Sequence, residues 1–226
     1  MMRRRRLPIG RVWLIVAATG QQPRWGSEMS EAPMALAGAL WRVESERRLL
    51  RGAILAVAGG AFLVACSKVN VPLWPVPITL QTYAVLLIGA AYGLRLAVGT
   101  ILLYLAVGLA GVPVFAGPTG GPGVLLGPTG GYLVGWVAAV AVVGWLAERG
   151  WTRTLPKALA ALLAGNAAIY LLGLPWLALF VAPEQVLATG LTPFLVGDGA
   201  KLVLAAITST QGWRLARGLA NGPRER

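Results

Sequence analysis

Between Gly52 and Trp213 the chain carries only nine charged side chains: Lys68, Arg95, Glu148, Arg149, Arg153, Lys157, Glu184, Asp198 and Lys201. The long apolar stretches between them constrain the fold more than any other feature. Six segments emerge, at approximately Gly52–Ser67, Ile78–Tyr92, Leu96–Val112, Thr129–Ala147, Ala158–Val181 and Phe194–Trp213. In hydrocarbon every backbone N–H and C=O must be satisfied inside the protein, so such segments are read as helices and not as strands. Several fall short of the roughly 20 residues of an ideal span. Their helices are therefore expected to extend into the flanks or to be shielded by neighbours. The expected fold is an all-α integral membrane protein, a bundle of six transmembrane helices.

The net charge of +12 would suit a nucleic-acid binder, but its distribution does not. A duplex-binding surface needs Lys and Arg spread over one folded face, whereas here the surplus crowds the two ends. Membrane lipid, and no nucleic acid, is the expected surrounding. Arg42, Arg47, Arg48 and Arg51 precede the first segment. Arg95 follows the second, Arg149, Arg153 and Lys157 follow the fourth, and Arg214, Arg217, Arg224 and Arg226 follow the sixth. The alternate connections hold Lys68 as their one basic residue, so the positive-inside rule places both termini in the cytoplasm of a multi-pass protein of the cytoplasmic membrane. The domain reading is an N-terminal cytoplasmic extension over 1–50, expected to be disordered, a membrane domain over 51–214, and a short basic cytoplasmic tail over 215–226. The extension holds one short apolar run, Val12–Ala18, too short to span. It resembles a signal peptide only superficially, since polar residues follow at once. A natural start nearer Met29 or Met34 is the alternative, and residues before Met34 are expected to be dispensable.

Cys66 is the single cysteine and there is no histidine. That leaves no intrachain disulfide, no usual metal-ligand cluster and no Ser–His or Cys–His pair. No cofactor is expected.

Ionisable groups inside a spanning segment are expensive and are functional candidates by default. Asp198 and Lys201 lie three apart at the head of the sixth segment, on one helical face. They are either a neutralising pair that stabilises the bundle or a ligand pair. A carboxylate only accepts hydrogen bonds and an ammonium only donates them, so together they suit a neutral group with N–H donors and a carbonyl, such as a cyclic urea. Thr79 and Gln81 open the second segment, Tyr132 opens the fourth, and Asn166 lies in the fifth with Tyr170 one turn later. Each can bond helix to helix or contact a ligand. Trp74, Phe115 and Trp176 are candidates for an interfacial belt or for pocket walls, Trp176 the better belt candidate.

Two loops stand out. "VNVPLWPVPIT" is stiffened by Pro72, Pro75 and Pro77. "GVPVFAGPTGGPGVLLGPTGGY" repeats GPTGG at 117–121 and 127–131 without the Lys-Ser or Lys-Thr of a phosphate loop. The copies are either a pair of turns or a close-packed re-entrant loop lining a cavity, and the uncharged loop favours the second. In the first segment Gly52, Ala56 and Gly60 form a small-residue stripe with Ala53, Val57, Ala61 and Ala65 beside it. Such stripes let helices approach closely, within the chain or against a partner.

"VPITLQT" (76–82), "GLAGVPVFAG" (108–117), "GPTGGYLVGW" (127–136) and "PFLVGDGAK" (193–201) resemble, in order and spacing, the biotin-binding S components of energy-coupling factor transporters, the BioY family. The resemblance covers about residues 52–213. It implies a six-helix S component with a biotin pocket at its outer face, covered by the loop after the first helix. Asp198 and Lys201 match the family's Asp-x-x-Lys ligand pair, Tyr132 and its Gly-rich approach match the fourth-helix contact, Asn166 matches a polar position of helix five, and Thr79 and Gln81 match the start of helix two. It also implies docking, through small residues of the first helix (here Gly52, Ala53, Ala56, Gly60 and Ala61), onto a transmembrane coupling subunit driven by two ATPase subunits. The stripe is looser than an unbroken alanine repeat. With no Walker motif, this chain is not itself an ATPase. The alternatives are an S component for another vitamin, a secondary transporter, and a membrane-embedded enzyme. A Ser209–Lys201 enzyme pair would lie some 12 Å apart along a helix at about 1.5 Å per residue.

Overall fold

The computed structural model describes residues 35–41 and 47–220. The expectations made for other positions lie outside the described residues: disorder before residue 35, the run Val12–Ala18, the alternative starts at Met29 and Met34, and Arg42, Arg224 and Arg226. Helix α1 is Leu36–Leu40 and α2 is Arg48–Lys68. A two-residue ladder follows, β1 Asn70–Val71 against β2 Ile78–Thr79, antiparallel with Asn70 opposite Thr79. Then come α3 Gln81–Tyr92, α4 Leu94–Leu109, the single turn α5 Pro122–Leu126, α6 Gly130–Glu148, α7 Leu155–Leu177, the short α8 Val186–Gly190 and α9 Leu195–Ala220.

Among the described residues four helical runs are long and apolar enough to cross a membrane: α2, α6, α7 and the run ending in α9. Helices α3 and α4 are apolar but shorter, at 12 and 16 residues. Gly93 separates them at φ +77°, a left-handed conformation that glycine adopts without strain. The carboxylate of Glu148 then accepts the Leu94 N–H at 2.9 Å, satisfying an orphan donor at the start of α4.

Helix α6 is the hub, packing on α7, α3 and α4. Glycine makes the α6–α7 contact close. A Cβ on Gly135 would stand 2.9 Å from the Ile169 backbone, one on Gly131 would stand 2.3 Å from Trp176 Cβ, and one on Gly173 would stand 2.5 Å from the Tyr132 ring. The stripe on α2 behaves differently. A Cβ on Gly52 or Gly60 would meet nothing within 4 Å, while Gly59, outside the stripe, faces Thr100 and Tyr92. Ala53, Val57, Ala61 and Ala65 are exposed.

Three sequence expectations need correction. Ile78 and Thr79 pair as a strand and do not open the second helix, because the prolines of the preceding segment fold it back on Asn70–Val71. Residues 36–40, assigned to the extension, form a helix: Leu36 packs against Gly212, Trp213 and Ala216, which gives this short turn an apolar surface to cover. Residues 215–220, assigned to the tail, continue α9, with Ala216 buried in the same cluster and no proline to stop the helix. Trp213 is fixed at that end by its indole N–H on Thr152 Oγ1 at 3.1 Å and by the Arg153 guanidinium over its ring.

Gly135→Ala is expected to lower the thermal unfolding midpoint in detergent, since the added methyl meets backbone and the helices must part. Overpacking of this kind costs roughly 1–3 kcal/mol. Gly60→Ala, with open space at its Cβ, is expected to leave the midpoint unchanged or slightly raised.

Candidate functional site

The first residues of α3, α6 and α9, the middle of α7, and two loops line a half-open cavity of about 290 Å³. The segment Pro75–Pro77 and the loop bearing Phe115, Ala116 and Thr119 supply further walls. Asp198, Lys201, Asn166, Tyr132, Thr79 and Gln81, the six candidate residues, all line it. No residue of α2 does.

Asp198 is the electrostatic centre, 5% exposed, with Lys201 beside it at 8%. Lys201 Nζ donates to Asp198 Oδ1 at 3.0 Å, the i, i+3 spacing bringing both onto one face of α9. The Tyr170 hydroxyl donates to Oδ2 at 2.6 Å and Asn166 Nδ2 donates to the same oxygen at 3.3 Å. Asn166 and Tyr170 are four residues apart on α7 and so share a face. The carboxylate is acceptor-only, which sets the Asn166 amide nitrogen toward it and turns Asn166 Oδ1 away. That Oδ1 is buried and accepts no hydrogen bond from a described residue.

The unspent capacity can be counted. A carboxylate offers about four acceptor positions, and three are used, leaving one on Oδ1. Lys201 has spent one of the three N–H donors of an ammonium. Asn166 Oδ1 adds a second free acceptor. Two acceptors beside a donor are complementary to a compact group with two N–H donors and a carbonyl.

The other candidates play different parts. Tyr132 uses its hydroxyl on Gly190 O at 2.8 Å and presents its ring, edge-to-face with Tyr170. Gln81 Nε2 donates to the Tyr104 hydroxyl at 2.7 Å, and that hydroxyl donates onward to Val114 O, tying α3 and α4 to the Phe115 loop. Thr79 Oγ1 accepts the Gln81 N–H at 3.2 Å and so fixes the start of α3.

The apolar walls include Val76, Phe115, Leu133, Trp136 and Phe194. Phe115 lies over Gly108, where a Cβ would stand 2.2 Å from its ring. Both GPTGG copies reach the cavity, through Thr119 in the first and Gly127, Pro128 and Thr129 in the second. They line a cavity and are more than turns. Trp176 belongs neither to the walls nor to a free belt: its indole N–H donates to Gly127 O at 2.9 Å and pins the second copy. Trp74 is 79% exposed and does not line the cavity. Tyr170 was visible in the sequence as a polar residue one turn from Asn166, but nothing marked it as a partner of Asp198. Phe115, read as a candidate for belt or wall, is a wall, whereas Trp136 and Phe194 carried no signal separating a pocket wall from core.

The model of the BioY family matches residues 34–218. The chain belongs to the BioY family. The "Probable biotin transporter BioY" of Pyrococcus horikoshii is 40% identical over 141 residues, covering 62% of this chain and 83% of that protein. The "Biotin transporter BioY" of Thermotoga maritima is 36% identical over 162 residues, covering 71% and 92%. "Biotin transporter BioY2" of Lactococcus lactis is 35% identical over 155 residues, covering 68% and 85%. In fold the chain is similar to a crystal structure of the S-component for biotin from an ECF-type ABC transporter, with a TM-score of 0.61 and 22% identity over 80% of this chain and 96% of that one. This BioY-family chain is a multi-pass membrane protein, with its polar cluster held inside the helical bundle.

Tyr170→Phe is expected to destabilise the ligand-free protein. It strips the shortest donor from a buried carboxylate, at a cost of roughly 1–3 kcal/mol. Thermal unfolding in detergent checks this, with Tyr83→Phe, whose hydroxyl meets Thr208 outside the cavity, as the comparison.

Proposed function

We propose that the cavity binds biotin, and that the chain takes it up as the substrate-binding S component of an ECF-type transporter. The observation that carries this reading is the unspent hydrogen-bonding capacity around Asp198: free acceptors on Asp198 Oδ1 and Asn166 Oδ1 beside free N–H groups on Lys201. Biotin's ureido ring has two N–H donors and one carbonyl, the complement of that set. Asp198 and Asn166 take the N–H groups and Lys201 takes the carbonyl. Lys201 is better suited to this than to the distant carboxylate, because it is already buried and held at Asp198. Phe115, Trp136, Tyr132 and Phe194 supply apolar surface for the thiophane ring and side chain. The volume of about 290 Å³ lies just below the roughly 300–1,000 Å³ usual for ligand pockets, suited to a small ligand. The chain is a transporter subunit and not an enzyme, in keeping with the names of its relatives.

In this reading six helices cross the cytoplasmic membrane, with both termini inside and the cavity facing out. Support comes from the basic residues: Arg47, Arg48 and Arg51 begin α2, Arg95 begins α4, Arg149 and Arg153 follow α6, and Arg214 and Arg217 close α9. Each group sits at the helix end away from the cavity, as the positive-inside rule requires. A transmembrane coupling subunit and two ATPase subunits supply the energy. Helix α2 is the docking element, because its exposed Ala53, Val57, Ala61 and Ala65 form a small-residue face. The half-buried Gly52, Ala56 and Gly60 flank it.

Titration of the purified protein with biotin, with thiamine and riboflavin as controls, tests the ligand. Asp198→Asn is expected to fold and to weaken biotin binding by roughly 2–5 kcal/mol, because one partner of a buried charged contact is removed. Unchanged affinity in a folded variant would return the pair to a purely structural role. A bulky residue in the docking face has the opposite signature. Ala61→Trp is expected to keep biotin binding in the isolated protein and abolish ATP-driven uptake with the coupling subunits. Full uptake by that variant would place the docking face elsewhere.

A further inference from the structure

Lys68 ends α2 and is the one charged residue between that helix and α3. Its ammonium does not line the cavity. Instead Nζ donates to three backbone carbonyls of a single loop: Pro113 O at 2.9 Å, Phe115 O at 3.2 Å and Gly117 O at 2.8 Å. An ammonium has three N–H donors and no acceptor, so the contact uses all of it. The loop curls around the charge and leaves it at Gly117, which adopts φ +67°.

The segment so held is a wall of the cavity, since Phe115 and Ala116 line it. Lys68 also lies two residues before β1, whose partner β2 follows the lining segment Pro75–Pro77. One ammonium thus ties the end of α2 and the base of the hairpin to the Phe115 loop. Lys68 is itself exposed, so water can replace the carbonyls and the tie can open while the core stays packed.

We propose that Lys68 is a positioning residue: it latches the Phe115 loop against the cavity and sets how long a bound ligand stays. The proposal rests on the reading of the cavity as a biotin site. Its chemistry is specific to a compact ammonium. Methionine keeps a long apolar stem and loses every donor. Arginine keeps the charge, but its planar fork does not serve three acceptors converging on one point as a compact ammonium does.

The test uses the full chain in lipid nanodiscs. Amide hydrogen exchange across residues 112–121 is measured without ligand, and biotin association and dissociation rates are measured by stopped flow. Lys68→Met is expected to speed exchange in that loop and to release biotin about tenfold faster, which is about 1.4 kcal/mol. Association should also quicken, so the dissociation constant moves less than the off-rate. Lys68→Arg should fall between the two. Unchanged loop exchange overturns the latch. So does faster exchange with biotin leaving at the wild-type rate, or a lowered unfolding midpoint with neither rate altered. If the unaltered protein fails to bind biotin, the proposed ligand falls, and the exchange comparison alone then decides whether Lys68 holds the loop.

Discussion

Helices in lipid gain little by hiding apolar faces from one another, because the acyl chains are equally apolar. What remains is the close fit of backbone on backbone, and here it is concentrated between α6 and α7. Gly131 and Gly135 on one helix and Gly173 on the other leave no room for a Cβ against their neighbours. The seam does more than hold two helices together. It lets Tyr132 lie against Gly173 and stack edge-on with Tyr170, and it fixes the face of α7 that carries Asn166 and Tyr170. Both residues then meet Asp198 from α9. Parting the seam would move every donor that faces the carboxylate except Lys201.

The Asp198–Lys201 pair by itself is a poor source of stability. Taking two charges out of water costs several kcal/mol per ion, and their attraction only roughly offsets it unless the remaining hydrogen-bonding positions are filled. The protein fills part of them with Tyr170 and Asn166 and leaves others unfilled. Such a partly satisfied polar network is a liability in a structural role. The proposed ligand role accounts for it, since a group with two N–H donors and a carbonyl would complete the set. The glycine seam supplies the rigidity such a site needs, because the donors sit on helices and not on mobile loops.

Much of this architecture was legible in the sequence, and the reasons differ by element. Among the described residues each of the six apolar segments falls on a helix, four of them in runs long and apolar enough to cross a membrane, because hydrocarbon admits few other structures for them. Their ends were less legible: Ile78–Thr79 became a strand and α9 ran on to Ala220, since neither hairpin pairing nor a contact with Leu36 leaves a periodic trace. The charged half of the site was visible because Asp and Lys in an apolar run are too costly to bury without a role. The apolar half was legible only at Phe115, since Trp136 and Phe194 look like any core aromatic until the loops are folded over them. Small-residue patterning on α2 left packing within the chain and docking of a partner open, and the open space over Gly52 and Gly60 speaks against the first. The glycines that set the α6–α7 contact include Gly131 and Gly135, four apart on one face of α6, a small-residue spacing that the sequence also carries.

Helix α2 occupies a position that follows from these facts together. It places no side chain in the cavity, and its small-residue face has open space over Gly52 and Gly60. Its inner side is nonetheless anchored, through Gly59 on Thr100 and Tyr92 and through the buried Leu63 and Cys66. At its end the Lys68 ammonium grips the loop that carries Phe115. The outer face of α2 therefore lies away from the cavity, whereas its last residue holds a segment of the cavity wall.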